Sequence, residues 1–509
     1  MTYDLFIPSQ LMGALLPDLI LMVGSMVLML VSALRPDSAA HQRTVGIGAM
    51  ALVAVTIAAV AWMAAGGATS ATNGPIAVDG FRWIADIILL LAALATVALS
   101  IEHNARKGIM QGEAHVLVLF ATAGMMVLAA GRDLMVVFLG IEIMSVAVYV
   151  LAGINRASVR SAEASLKYFL LGAFATGFLL YGIALTYGAT GSTQFTQIGA
   201  AIQRFGLHAN PMLLIGIGML VVGLGFKIAA VPFHMWAPDV YEGSPTPVTA
   251  FMAAAVKTAA LATFLRLWFE SFYYVIDAWG RPLWVLAVVT MVVGNVVALS
   301  QRNIKRMLAY SSIVHTGYLL VAIVASSAFA STAFLFYAFA YTVATFGAFG
   351  IVAALEHSGE RATLISDYDG LWHTRPWLAI AMAVFMLSLM GFPVFGGIGF
   401  FGKWYILQAA LASPVSLGSL AVILVLTSVI SAGYYLQVVR VMFMKERPAD
   451  ALEAPPLGSL TRTVVAVSAV IILGMGVFPS QLVNLTAAHG FKPYSFSPAA
   501  GMRAPAPER

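Results

Sequence analysis

The chain has 509 residues, 61% of them hydrophobic and only 10% charged, with a mean hydropathy of +0.92. A soluble domain carries roughly 25% charged residues, so a cytosolic globular enzyme and a disordered chain are excluded, and an outer-membrane barrel, with its alternating strands, is disfavoured. What remains is an all-α polytopic membrane protein; the net charge of +5 is spread over short loops and is no nucleic-acid signal, and the lack of cysteine removes disulfides and thiolate metal sites.

Met1–Gln10 holds no Lys or Arg, and Asp4 is acidic, so a cleavable signal is not expected. A bilayer core about 30 Å thick needs roughly 20 apolar residues at 1.5 Å each. Runs of that kind predict about fourteen transmembrane helices in a single membrane domain, residues 1–509. The first seven centre near Val23, Val53, Leu91, Ala121, Met144, Gly177 and Ile217. The others centre near Leu261, Val289, Tyr318, Thr342, Gly391, Ser428 and Val470. Gly66–Gly80, Gly188–Asn210 and Glu356–Arg375 are the longest polar connections. Cytoplasmic loops attract Lys and Arg. One set of alternate loops gathers Arg35, Arg43, Arg106, Lys107, Arg156, Arg160, Arg302, Lys305 and Arg306. The opposite set holds Arg82, Arg132, Arg204 and Arg281, with three more basic residues in the C-terminal tail. This predicts a multi-pass protein of the bacterial inner membrane with both termini periplasmic.

Gly397–Trp404, GIGFFGKW, matches G-x-G-x-x-G and nearly matches a P-loop. Both readings fail. The dinucleotide fingerprint needs a preceding strand, and the P-loop needs Ser or Thr where Trp404 stands. Beside Pro393, these glycines predict a helix interruption within the membrane.

Ionisable groups at mid-bilayer cost several kcal/mol, roughly 2.5–3.5 on insertion scales, and mark function by default. Glu142, Lys167, Lys227, Lys257, His315 and Lys403 are the candidates. Glu142 lies near mid-depth in the fifth helix, Lys227 shortly before Pro232 in the seventh, Lys257 within the eighth, and Lys403 after the glycine-rich break in the twelfth. Lys167 equally fits a snorkelling lysine, and His315 and His234 equally fit hydrogen-bonded packing residues. Asp86, Glu113, Glu270 and Arg440 read as interfacial. Burial disfavours a lysine's charged form and a nearby carboxylate restores it. A lysine poised between these influences exchanges a proton when its partner changes, and Glu142 is the expected partner of Lys227. Several such lysines at one depth make a relay, with water completing the connections.

The breaks at Pro232 and at Pro393, Gly396, Gly397 and Gly399 fall at similar positions in two successive blocks, each near a lysine. Paired interrupted helices point to two inverted repeats of five helices with broken helices 7 and 12. The repeats would cover about 114–275 and 281–446, flanked by helices within 11–100 and 460–478.

Four stretches carry a family resemblance: Leu139–Gly153, Gly223–Phe251 (GLGFKIAAVPFHMWAPDVYEGSPTPVTAF), Asn303–Val321 and Gly391–Leu407. They closely resemble the antiporter-like membrane subunits of respiratory complex I, NADH-quinone oxidoreductase, and of Mrp antiporters. Nearly the whole chain takes part. The resemblance implies a relay glutamate at Glu142 and relay lysines at Lys167, Lys227, Lys257 and Lys403. Lys403 stands where a sister subunit and the Mrp subunit usually carry Glu, and the long lateral helix of the largest sister has no counterpart after the last span. It implies a proton-translocating membrane-arm subunit, with other membrane-arm subunits and the lipid bilayer as partners and no nucleic acid. No cofactor or metal is expected in this chain, while NADH, FMN, iron–sulfur clusters and quinone are expected in partner subunits. An autonomous cation/proton antiporter is the alternative.

Overall fold

The protein is described here by a computed structural model covering residues 1–356, 363–394, 396–414, 417–448 and 456–491. The three basic residues predicted for the C-terminal tail, Lys492, Arg503 and Arg509, lie outside the described residues. Apart from a two-residue parallel pairing of Thr2–Tyr3 with Thr69–Ser70, the described elements are helical.

The helices that build the membrane domain are α1 (Leu16–Ala33), α2 (Ala39–Ala65), α3 (Gly80–Lys107), α4 (Glu113–Ala130), α5 (Leu134–Ala152) and α6 (Val159–Thr190). There follow α7 (Pro211–Lys227), α8 (Trp236–Gly243), α9 (Thr246–Phe251), α10 (Lys257–Leu267), α11 (Ile276–Leu299) and α12 (Ile304–Ala325). The last are α13 (Ala330–Leu355), α14 (Pro376–Met390), α15 (Ile398–Leu411), α16 (Gly418–Met444), α17 (Ser459–Val477) and the short α18 (Pro479–His489). Several starts follow from capping chemistry. Asp79, Asp133, Ser158, Asn210 and Asn303 each accept a hydrogen bond from a backbone N–H in the first turn of the helix that follows.

Among the described residues, eleven helical runs are long and apolar enough to span a membrane, not about fourteen. Two causes explain the difference. Thr246–Leu299 runs continuously through two predicted centres over 54 residues, and Pro211–Lys227 and Pro376–Met390 stop short at backbone breaks. Thirteen of the predicted centres fall inside helices, and Gly391 falls at the second break.

The layering follows from hydropathy pattern. The apolar windows of α12 and α13 are 94% buried, whereas those of α1 and α17 are 28% and 22% buried. Helices apolar all round thus occupy the centre, and the peripheral ones turn one side outward. Small residues permit close crossings. A Cβ added at Gly124 of α4 would lie 2.5 Å from the backbone N of Met144, and one at Gly140 of α5 would lie 2.8 Å from that of Leu128.

Candidate functional site

The site is organised by the two interruptions. α7 ends at Lys227, and the chain cannot continue as a helix because Ala229 takes φ 54° and Pro232 has no N–H to donate. The backbone groups freed by the break find partners elsewhere. Phe226 O accepts from Trp236 Nε1 at 3.0 Å, Ile228 O accepts from Thr316 Oγ1 at 2.9 Å, and Val231 N donates to Thr290 Oγ1 at 3.0 Å. Lys227 is buried at this end, its Nζ donating to Ser145 Oγ at 2.7 Å and Tyr149 Oη at 3.0 Å.

The second interruption separates α14 from α15, with Gly391 at φ 76° and Gly397 at φ 53°. Gly397 is required sterically as well, since a Cβ there would meet Ile472 O at 2.3 Å. Lys403, one turn into α15, reaches back across the break: its Nζ donates to Met390 O, the last residue of α14, at 2.8 Å. The ammonium also lies 4.6 Å from the Tyr318 ring centroid. The Gly-rich stretch is therefore a helix start after a break, and among the described residues no strand directly precedes it.

Lys257 and His315 sit between these ends. Lys257 opens α10 directly after a π-helical turn, Met252–Val256, a local widening that often marks functional positions. It is 2% exposed, and its Nζ has no hydrogen-bond partner among the described residues; the Tyr241 ring centroid lies 5.8 Å from it. His315 shares one ring nitrogen with Tyr337 Oη at 2.7 Å and the other with Tyr435 Oη at 3.0 Å. The charges of Lys403 and Lys257 both bear on His315, that of Lys257 bears on His234, and that of Glu142 bears on Lys227. These relations join Glu142 to Lys227, and Lys257 through His315 to Lys403, with His234 beside Lys257.

Three expectations change. Glu142 and Lys227 form no direct ion pair among the described residues. Glu142 is only partly buried and accepts from Thr176 Oγ1 at 2.9 Å, while Ser145 and Tyr149, one and two turns along the same helix, take the lysine. Lys167 lies outside the row. Its side chain is 41% exposed and pairs with Glu163 at 2.6 Å and Asp239 at 2.9 Å, in a network that continues to Arg306. Asp86 and Glu270, expected near helix ends, are buried inside the protein and ion-paired. Asp86 is fully buried 3.4 Å from Arg82, which also binds Asp18, and Glu270 pairs with Arg132 at 2.8 Å and Arg266 at 3.2 Å. In each cluster one arginine stands a turn before the carboxylate on the same helical run, and a distant segment supplies the further partner, Asp18 in one and Arg132 in the other.

Sequence reasoning did not single out Ser145, Tyr149, Tyr241, Tyr337 or Tyr435. For Ser145 and Tyr149 a signal existed, since they fall three and seven residues after Glu142, on one helical stripe. The tyrosines of α12, α13 and α16 are indistinguishable from core aromatics until helices distant in sequence meet.

Comparison with known proteins gives the family. Residues 131–431 match the family described as NADH:quinone oxidoreductase/Mrp antiporter, TM. The chain is 48% identical over 493 residues to NADH-quinone oxidoreductase subunit N of Gemmatimonas aurantiaca, covering 95% of this chain and 94% of the relative. It is 43% identical over 479 residues to that of Trichlorobacter lovleyi, covering 93% and 96%. Its fold matches a chain of respiratory complex I from Thermus thermophilus at a TM-score of 0.78 and 35% identity, over 93% of this chain and 100% of that one. A chain of the Mrp complex from Dietzia matches at a TM-score of 0.78 and 22% identity, over 93% and 96%, a likeness of fold alone. With the family match running through both helix breaks and the relatives aligned almost end to end, the chain belongs to the NADH-quinone oxidoreductase subunit N family of multi-pass membrane proteins.

Proposed function

We propose that this chain is a proton-translocating membrane-arm subunit of NADH-quinone oxidoreductase, moving protons along the row Glu142, Lys227, Lys257, His315, Lys403. The observation that carries the reading is Lys257: a buried amine with no hydrogen-bond partner among the described residues, between two lysines in sequence that sit at helix breaks. Such an amine is held in place by packing rather than by an ion pair, so its proton is available for exchange. The two tyrosines on His315 let either ring nitrogen donate or accept, which a proton-passing group requires. Glu142, on a partly exposed face of α5, is suited to report a neighbouring subunit's charge to Lys227 through Ser145 and Tyr149. Lys167, exposed and paired with Glu163 and Asp239, is left out of this row. NADH, FMN, iron–sulfur clusters and quinone act in partner subunits, and this chain works through the lipid-embedded arm.

Topology supports two inverted repeats, about 114–275 and 281–446, within the single domain 1–509. Successive spans bring α7 and α14 into the membrane from opposite faces, and each stops at a break near its lysine. The basic loops place Arg106, Lys107, Arg156, Arg160, Lys305 and Arg306 on the cytoplasmic side of the bacterial inner membrane, and both termini in the periplasm.

The test is Lys257→Met in the assembled complex, reconstituted in proteoliposomes. NADH-driven proton pumping should fall several-fold while subunit content is unchanged. Normal pumping by a fully assembled variant would remove Lys257 from the path, and transport that persists without NADH and quinone would favour the autonomous antiporter.

A further inference from the structure

On the face proposed to be cytoplasmic, the ends of α3, α12 and α13 and the start of α9 enclose a polar cluster that the row above does not include. Glu356, just past α13, is its centre. Its Oε2 accepts from Thr246 Oγ1 at 2.6 Å and lies 3.1 Å from His103 Nε2, and its Oε1 lies 3.2 Å from Lys107 Nζ. Burial alone would raise this carboxyl, but Lys305, His103 and Lys107 outweigh it and hold it well below the usual carboxylate range. An ionised carboxylate only accepts hydrogen bonds, so His103 Nε2 must carry its hydrogen. In the tautomer with its hydrogen on Nε2, Nδ1 is an open acceptor, and that atom is buried without a partner among the described residues.

A cavity of about 30 Å³, room for a water molecule, adjoins the cluster. Its lining runs from exposed Arg160 and half-buried Asn155 inward to buried His103, Lys305 and Glu356. One wall is therefore open to the loops and the other is the imidazole and its carboxylate. From there Thr246 leads inward. It is the first residue of α9, and that helix passes through the π-helical turn into Lys257, eleven residues on and about 16 Å away at helical rise. On the same helix Thr249 Oγ1 donates to Tyr241 O at 2.9 Å, and the Tyr241 ring is the one that faces Lys257 Nζ.

We propose that His103, oriented by Glu356, is the group that takes protons from the aqueous side and delivers them toward Lys257. Resting on the relay reading above, this adds the entry step. A proton from water in the cavity binds Nδ1, and the imidazolium is stabilised by the ionised Glu356. The proton on Nε2 then passes to Glu356 Oε2, leaving the ring neutral with its hydrogen on Nδ1. Glu356 gives that proton onward through Thr246, whose hydroxyl releases its own hydrogen as it takes one up. A turn of the ring brings the protonated nitrogen back to the carboxylate and the bare one to the cavity. The charged and titratable groups around this ring are Arg106 and Lys107 of α3, Lys305 of α12, Glu242 of α8, Arg160 of α6, and Tyr368 beside Glu356. Arg106 is engaged elsewhere, donating to Ala353 O and Ala354 O at the end of α13. Among the described residues, Glu356 is the one carboxylate bonded to the imidazole.

The experiment uses the assembled complex in inverted membrane vesicles, where the cytoplasmic face meets the medium, with His103→Ala, His103→Gln and Lys257→Met. In both His103 variants, NADH-driven pumping should drop about three-fold or more at pH 8 and less at pH 6, where protons are more abundant. Imidazole added to the medium should restore His103→Ala, because the vacated ring volume admits it, and should leave Lys257→Met unchanged. A loss that is the same at every pH and indifferent to imidazole would overturn the proposal, as would normal pumping in an assembled His103→Ala. Failure of both His103 variants to assemble would make the ring structural and would also overturn it. If Lys257→Met pumps normally, the relay itself has failed. If Lys257→Met is inactive while the His103 variants pump normally, only the entry step has.

Discussion

At the scale of single residues, the groups that matter are buried polar side chains, and their neighbours decide whether they fix structure or move charge. Lys227 and Lys403 are each satisfied, one by two hydroxyls and the other by a helix-terminal carbonyl. Lys257 is satisfied by nothing among the described residues. Lys403→Arg should therefore be poorly tolerated: arginine stays protonated and cannot release a proton. Pumping should fall with the complex intact, and wild-type proton-to-electron ratios in that variant would show that Lys403 need not deprotonate. Tyr149→Phe removes one acceptor from a buried ammonium, at a cost of about 1–3 kcal/mol. It should lower the melting temperature of the purified chain and slow pumping more than Phe169→Leu, which changes an exposed ring on the next helix. The Asp18–Arg82–Asp86 cluster obeys the opposite logic. Its arginine is fully buried between two carboxylates, and Arg82→Met would strand both. The expected loss is about 3–5 kcal/mol, read as reduced subunit content in membranes; normal assembly would mean that the carboxylates are protonated there.

At the scale of helices, two kinds of glycine act differently. Gly391 and Gly397 let the backbone turn where Lys403 must approach it; positive φ excludes other residues at both, and at Gly397 the Ile472 carbonyl leaves no space for a Cβ either. Gly124 and Gly140 have ordinary helical backbones and serve packing, letting α4 and α5 touch along their length. Gly140→Val would drive a branched side chain into the Leu128 backbone, which cannot move as a flexible side chain could. Overpacking of this kind costs about 1–3 kcal/mol, occasionally more. Detergent-solubilised protein should melt several degrees lower, whereas a similar change at Gly177, where a Cβ would meet nothing within 4 Å, should be nearly silent. The breaks were visible in the chain as Pro232 and as a run of glycines after Pro393. Where the freed carbonyls would find donors was not visible, because Trp236 and Thr316 come from separate elements.

At the scale of the molecule, stability depends on pH through the loop-side charges. Glu356 is held low when folded, so the folded state binds fewer protons than the unfolded state around its ordinary pKa of 4.5. Its contribution is complete above that value and drains away as pH falls below it toward the lowered folded value. Glu356→Gln should therefore be less stable than the parent at pH 7, and the gap should narrow under acid conditions; a constant gap in thermal melts from pH 7 to pH 4 would contradict this. Hydropathy alone determined the class, the approximate positions of the spans and the two interruptions, because each is a local property: a run of apolar residues must cross lipid, and proline or clustered glycine must break a helix there. The cost of burying an ion marked Glu142, Lys227, Lys257, His315 and Lys403 for the same reason. Tertiary structure decided the rest. Lys167 turned out to be half exposed, Asp86 and Glu270 proved buried, Glu142 and Lys227 each bond to separate hydroxyls instead of to one another, and His103 joins Glu356 across 253 residues of chain. Whether an ionisable side chain meets lipid, water or a counter-ion depends on which helix packs beside it, and that is set by contacts between segments whose separation in sequence carries no trace of their meeting in space.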